Sequence, residues 1–262
     1  MSAESQPRST ELVAEKINRE LGQPYVLEGY TCYTTPSIGI SLFRGHQDSI
    51  NDLFRNADVA MYQAKAIGHN AIRFFDPQMQ VALEARSSLE ADLRQALVEQ
   101  QFSLHYQIQV DSQHRPLGAE VLVRWEHPDG GLVFPDQFIP LAEETGLIVP
   151  IGLWVLETAC AQINKWQHDA LTRDLTLAVN ISAKQLHQTD FTHQVKRVLL
   201  ESDVNPSLLK LELTESIVLE NFEDTIDKMQ VLKSLGATFS FRSFCRHKGT
   251  FGYLRIPCQS CQ

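Results

Sequence analysis

From Phe102 onward the sequence alternates strand patterns with helical ones, and that order limits the fold more than any other feature. Phe102, Leu104, Tyr106, Ile108 and Val110 alternate with Ser103, His105, Gln107 and Gln109, the period of a half-buried strand. A second strand is expected over 117–125, after a turn at Arg115-Pro116. Helices are expected at 136–144 and 150–168, the latter with Pro150 in its first turn. A strand at 175–181, a helix near 190–201, a strand at 208–214, a helix over 221–235 and a strand at 237–241 complete the series. Strand–helix order with strands this apolar predicts a parallel sheet covered by helices. A closed eight-stranded α/β barrel takes about 250 residues, so residues 100–262 have room for roughly half of one.

Composition narrows the function classes. Hydrophobic residues are 43% of the 262, enough for a buried core. No run approaches the roughly 20 apolar residues that span a bilayer, and the polar first ten residues lack a secretory pattern. The expectation is a soluble, cytoplasmic chain or a soluble piece of something larger, with no membrane segment. A net charge of −9 argues against a long nucleic-acid partner. A small anionic ligand remains compatible, because a metal ion or a few arginines can neutralise it locally. Five cysteines are too few and too uneven for a disulfide scaffold.

The first part of the chain reads differently. Residues 10–21 predict an amphipathic helix with Val13, Ile17 and Leu21 on its inner stripe, stopped at Gly22 and Pro24. Strands are expected around the Glu28-Gly29 turn and where Ile38, Ile40 and Leu42 alternate with small residues. A helix over 49–67 would bury Ile50, Leu53, Phe54, Ala57 and Met61 and end at Gly68. A short strand follows at 71–75. Residues 78–99, with Leu89, Leu93 and Leu97 at i+4 spacing, predict one or two connecting helices. The expected division is therefore 1–76, a connector at 77–99, and 100–262.

Three strand positions carry the chemistry. Glu120 shares a strand face with Leu122 and Arg124, since side chains alternate with period two. Asn180 and Glu212 lie near the ends of the next two strands, where parallel α/β folds bind ligands. Two carboxylates and an amide oxygen are hard donors suited to Mg²⁺ or Mn²⁺ and not to zinc. Arg124 suits a bidentate phosphate contact. Each residue alone reads better as a solvated or ion-paired strand residue, and only their equivalent depth on three successive strands brings the site reading level with that one.

Residues 120–125 (EVLVRW) resemble the signature of the EAL family of bacterial cyclic-di-GMP phosphodiesterases, with Val121 in place of alanine. Residues 134–143 (FPDQFIPLAE), 179–182 (VNIS) and 211–215 (LELTE) resemble further motifs of that family in the same order. Tyr106-Gln107 resembles its first-strand pair, although Ile108 replaces a usual proline. In the first part, residues 37–41 (SIGIS), 56–65 (NADVAMYQAK) and 68–70 (GHN) resemble the C-terminal third of a GGDEF diguanylate cyclase domain.

The resemblance implies an incomplete TIM-like (β/α) barrel preceded by a fragment of an α+β GGDEF domain. It implies hydrolysis of cyclic-di-GMP to linear pGpG by water activated on divalent metal. Glu120, Asn180 and Glu212 would be metal ligands for Mg²⁺ or Mn²⁺, and Gln107 would contact guanine. Leu122 and Arg124 would line the nucleotide site, and Glu215 would brace the loop after the fifth strand. Lys65 matches a phosphate-contacting lysine, but His69 replaces an arginine and the glycine-rich cyclase signature would lie before the first residue, so cyclase activity is not expected.

The chain departs from the family at residue 242. Arg242 and Ser243 stand where the family has two adjacent aspartates, and later strands that supply further catalytic residues are absent. Residues 231–262 carry Lys233, Arg242, Arg246, Lys248 and Arg255 and no acidic residue. An out-of-frame reading and true divergence both account for this tail. Cys258 and Cys261, with Cys245 and His247, have zinc-ligand spacing, and free thiols are the alternative. The expectation is a phosphodiesterase homologue that has lost turnover. The alternatives are a non-catalytic cyclic-di-GMP-binding or protein-docking module, or an inert truncated product. Exposed sheet edges predict marginal stability and self-association.

Overall fold

A computed structural model describes residues 5–43, 45, 49–68, 70–214 and 221–242. The chain divides into two units, Met1–Leu89 and Glu90–Gln262.

In the first unit, α1 (Ser5–Leu21) leads into a hairpin of β1 (Tyr25–Leu27) and β2 (Tyr30–Cys32). Glu28 and Gly29 both have positive φ, 48° and 87°, as a two-residue primed turn requires. β3 (Ile38–Ile40) pairs in parallel with β4 (Ile72–Phe74), and α2 (Ile50–Ala66) lies between them in sequence. Ser49 caps α2 by accepting the Asp52 backbone N–H at 3.1 Å. At Gly68, φ is 128°, a conformation that ends the helix at little steric cost.

Two expected stripes are corrected here. In α2 the buried residues are Val59, Ala60 and Ala64, while Ile50 and Phe54 are 72% and 70% exposed. In α1, Val13, Ile17 and Leu21 are exposed and Ala14 is buried. A two-stranded sheet is too small to cover a whole helical face. Contact is instead concentrated where Gly39 approaches α2 so closely that a Cβ would fall 2.1 Å from the Ala57 carbonyl oxygen.

Residues 77–98 form one continuous helix, α3 (Pro77–Val98). In the second unit, Leu93 and Ala96 of this helix are buried. β5 (Phe102–Val110) and β6 (Pro116–His127) form a hairpin, extended by β7 (Gly131–Val133). Then come α4 (Pro135–Thr145), α5 (Ile148–Gln167), β8 (Thr176–Asn180), α6 (Ala183–Leu186), α7 (Phe191–Glu201) and β9 (Leu209–Thr214). The described part ends with α8 (Phe222–Ser234) and β10 (Thr238–Arg242). Sheet order is β10-β9-β8-β6-β5 with β7 on the side of β6.

The fold is α/β and corresponds to part of a TIM-like barrel. The wholly parallel sheet expected from element order is corrected to a mixed one. β6, β8, β9 and β10 run parallel, whereas β5 and β7 pair antiparallel to β6. Short links decide this, since a few residues can close only an antiparallel pair. In the β5–β6 link, the Asp111 carboxylate accepts from the Arg115 backbone N–H at 2.9 Å and from its Nε at 2.7 Å. These bonds hold its carboxyl below the usual range. Pro150 is the third residue of α5, which starts two residues before the expected point.

The core is apolar. Leu177, Val179, Leu209, Leu211 and Leu213 of the strands are buried, as are Ile151, Leu156 and Ile163 of α5. Phe102 meets Trp125, Phe138 and Trp154 with ring centroids 6.2, 5.9 and 5.8 Å away. No described helix is long and apolar enough to cross a membrane.

Candidate ligand and metal site

Register places the expected site residues in a staggered row, stepped by two residues between β6 and β8. Gln107 lies opposite Glu120 across β5 and β6. Glu120 lies beside Ala178 at the last paired position of β6 and β8. Asn180, the final residue of β8, lies beside Glu212 of β9, and Glu212 beside Ser240 of β10.

Local sequence sets each position. Ser182 follows Asn180 by two residues and starts α6 with a capping box, Ser182 and Gln185 each bonding the other's backbone N–H. That box turns the chain sharply and leaves Asn180 at the strand end. β9 is introduced by a 3₁₀ turn, Pro206–Leu208, and its residues Leu211 and Leu213 anchor the strand on either side of Glu212.

The side chains interlock. Asn180 Nδ2 donates to Glu120 Oε1 at 3.0 Å, and Ser240 Oγ donates to Glu212 Oε1 at 3.2 Å. Glu120 and Glu212 are 8% and 9% exposed. Burying carboxylates costs several kcal/mol unless hydrogen bonds or counter-charges offset it, and these donors supply part of that offset. Ser240 escaped the sequence reading. Its one legible signal was a hydroxyl amid the apolar alternation of Phe239 and Phe241.

The remaining expected residues flank this row. Gln107 is exposed, and Leu122 and Arg124 are half-buried. Arg124 Nη1 donates to the Val123 carbonyl at 2.8 Å, and its guanidinium carbon lies 6.0 Å from the Phe134 ring centroid. Tyr106 points to the other sheet face, where its ring meets Trp166 at 5.7 Å and burial raises its phenol pKa. That face holds an apolar cavity of about 310 Å³ at Tyr106, Pro116, Gly118, Trp166 and Leu175, separate from the row of donors.

Arg242 is the last residue of β10, beside Thr214. Glu215, Ser243, Cys245, His247, Cys258 and Cys261 lie outside the described residues, as does His69. Lys65 occupies the last turn of α2.

Among the described residues, no group of three or more histidine, cysteine or acidic side chains is arranged to hold a metal. Glu120, Asn180 and Glu212 nevertheless fit a hard divalent cation in kind. Two buried carboxylates and an amide on adjacent strands are oxygen donors of the right type, and water can complete the shell of Mg²⁺ or Mn²⁺.

Comparison with known proteins adds ancestry to this geometry. The profile described as "EAL domain" matches residues 90–257, and that described as "Diguanylate cyclase, GGDEF domain" matches residues 2–71. A relative from Pseudomonas aeruginosa, "Bifunctional diguanylate cyclase/cyclic di-GMP phosphodiesterase MucR", is 39% identical over 96% of this chain and 37% of its own length. "Cyclic di-GMP phosphodiesterase NbdA" of the same organism is 34% identical over 96% of this chain and 32% of its own. The chain thus spans about a third of the length of these relatives. Among solved structures, "PaMucR Phosphodiesterase, c-di-GMP complex" superposes with a TM-score of 0.58 at 40% identity, covering 62% of this chain and 66% of that one.

Proposed function

The chain belongs to the EAL domain family over residues 90–257, behind a GGDEF segment at 2–71, and from that membership we propose that it binds cyclic-di-GMP without appreciable turnover. The EAL relatives named above are cyclic-di-GMP phosphodiesterases. Here Glu120, Asn180 and Glu212 would hold Mg²⁺ or Mn²⁺, which when bound supplies charge to polarise a phosphodiester. Gln107 would contact guanine, Leu122 and Arg124 would line the nucleotide site, and Glu215 would brace the adjoining loop.

The observation that carries the reading is the staggered row in which register pairs Gln107 with Glu120 and Asn180 with Glu212 and the Asn180 Nδ2 hydrogen bond to Glu120 joins the two pairs, with Arg242 ending the next strand. A binding face and a partial cation site come from the row. At the end of β10 the family has two aspartates, and this chain has Arg242 and Ser243. An arginine there opposes cation binding electrostatically instead of supplying a ligand. Weaker metal affinity would deprive the site of the charge that polarises a phosphodiester, while the contacts proposed for Gln107 and Arg124 would still hold the nucleotide.

Calorimetry with cyclic-di-GMP, with and without MgCl₂, alongside chromatography for pGpG, tests this. Binding with no product is the expected outcome. Steady production of pGpG that vanishes in Glu120→Ala overturns the loss of turnover, and neither binding nor product overturns the ligand.

A further inference from the structure

We propose that Phe134 is a positioning residue that holds the Arg124 guanidinium for a phosphodiester oxygen of the bound nucleotide. The inference rests on the ligand reading above and deepens it.

Phe134 sits directly after β7 and is the N-cap residue of α4. That position favours Ser, Thr, Asp or Asn, whose side chains accept an N–H from the first turn. Phe134 makes no such bond, and the residue is 51% exposed. A residue that forfeits a cap and leaves an aromatic face in solvent breaks a local rule twice, and such breaks concentrate at functional positions.

What the ring gains is the guanidinium of Arg124, 6.0 Å from its centroid and at the outer range for a cation–π contact. Arg124 carries five N–H donors. The hydrogen bond from Nη1 to the Val123 carbonyl engages one of them. No carboxylate forms an ion pair with Arg124 among the described residues. An aromatic face restrains a guanidinium while consuming no donor and no charge. A carboxylate at the same place would restrain it by neutralising it. Phe134 thus orients the fork and keeps it available for an anion, and an acidic N-cap would cap α4 at the expense of that availability.

The test compares cyclic-di-GMP affinity across Phe134→Leu, Phe134→Trp, Phe134→Asp and Arg124→Ala, with thermal melting of each. Phe134→Leu weakens binding about two- to five-fold, and Phe134→Trp returns it to the unsubstituted level. Phe134→Asp, a better cap, melts at or above the unsubstituted temperature yet binds more weakly than Phe134→Leu. In the Arg124→Ala background, Phe134→Leu has no further effect. A purely structural role would make affinity follow melting temperature, which the aspartate variant separates. Loss of affinity in Arg124→Ala with none in Phe134→Leu overturns this inference alone. Absence of binding by the unsubstituted chain overturns the ligand reading and this inference with it. Ring-current shifts on the Arg124 side-chain protons, lost in Phe134→Leu and kept in Phe134→Trp, read the stacking without ligand, and their absence from the unsubstituted chain also overturns it.

Discussion

Cys160 shows what burial does to a single group. It lies on the inner face of α5 with no exposed surface, and desolvation pushes its thiol up from 9.0 to about 12. At neutral pH it should resist alkylation until the chain unfolds, as mass mapping after native-state labelling will show. Its raised folded pKa also has a stability consequence. The contribution is fully present below the unfolded value near 9 and is lost as pH climbs toward about 12, because only the unfolded thiol then releases its proton. The denaturation midpoint of Cys160→Ala should fall less steeply over that window than that of the unsubstituted chain, and parallel curves would contradict the assignment. Glu120 shows the opposite strategy: a buried polar group offset by a partner, Asn180 Nδ2.

At the scale of elements, close strand approach sets the site. Gly118 opens the parallel pairing of β6 with β8, and a Cβ there would fall 2.1 Å from the Thr176 carbonyl oxygen. Backbone, not a flexible side-chain tip, blocks the space, so Gly118→Ala must separate the strands. We expect a loss of about 2 kcal/mol or more by chemical denaturation, together with weaker cyclic-di-GMP binding, because Glu120 lies two residues along the same pairing. A stability change below about 0.5 kcal/mol would show that β6 and β8 tolerate the shift. Capping has a matching role after β8, where the Ser182 and Gln185 box fixes the point at which Asn180 leaves the sheet.

At the scale of the molecule, the described sheet of the second unit runs from β5 to β10 as an open path. Ile108 on β5 and Phe241 on β10 are exposed apolar side chains at its two ends. Exposed apolar edge strands favour pairing with other chains. Sedimentation should therefore show association that grows with protein concentration, accompanied by a shift in the melting transition. A sharp monomeric transition independent of concentration would sink this expectation. The first unit likewise leaves Leu12, Val13, Val26 and Tyr30 exposed on α1 and its hairpin.

Much of the chain was legible because its elements are written in local patterns. The alternation of Phe102 to Tyr106, the helical run of α5 and the Glu28-Gly29 turn depend on neighbours within a few residues. Strand direction was less legible, since antiparallel β5 follows from the length of a link and not from its apolar pattern. Helix burial in the first unit was misjudged for a related reason: periodicity names a face, whereas the area of β3 and β4 decides how much of it is covered. The sequence alone determined which residue types were available, namely Gln107, Glu120, Arg124, Asn180 and Glu212, and which strand each would occupy. Only the tertiary structure decided that Ser240 would bond Glu212 and that Phe134 would meet Arg124. Both contacts join residues whose meeting depends on strand register and chain reversal, which no local pattern encodes.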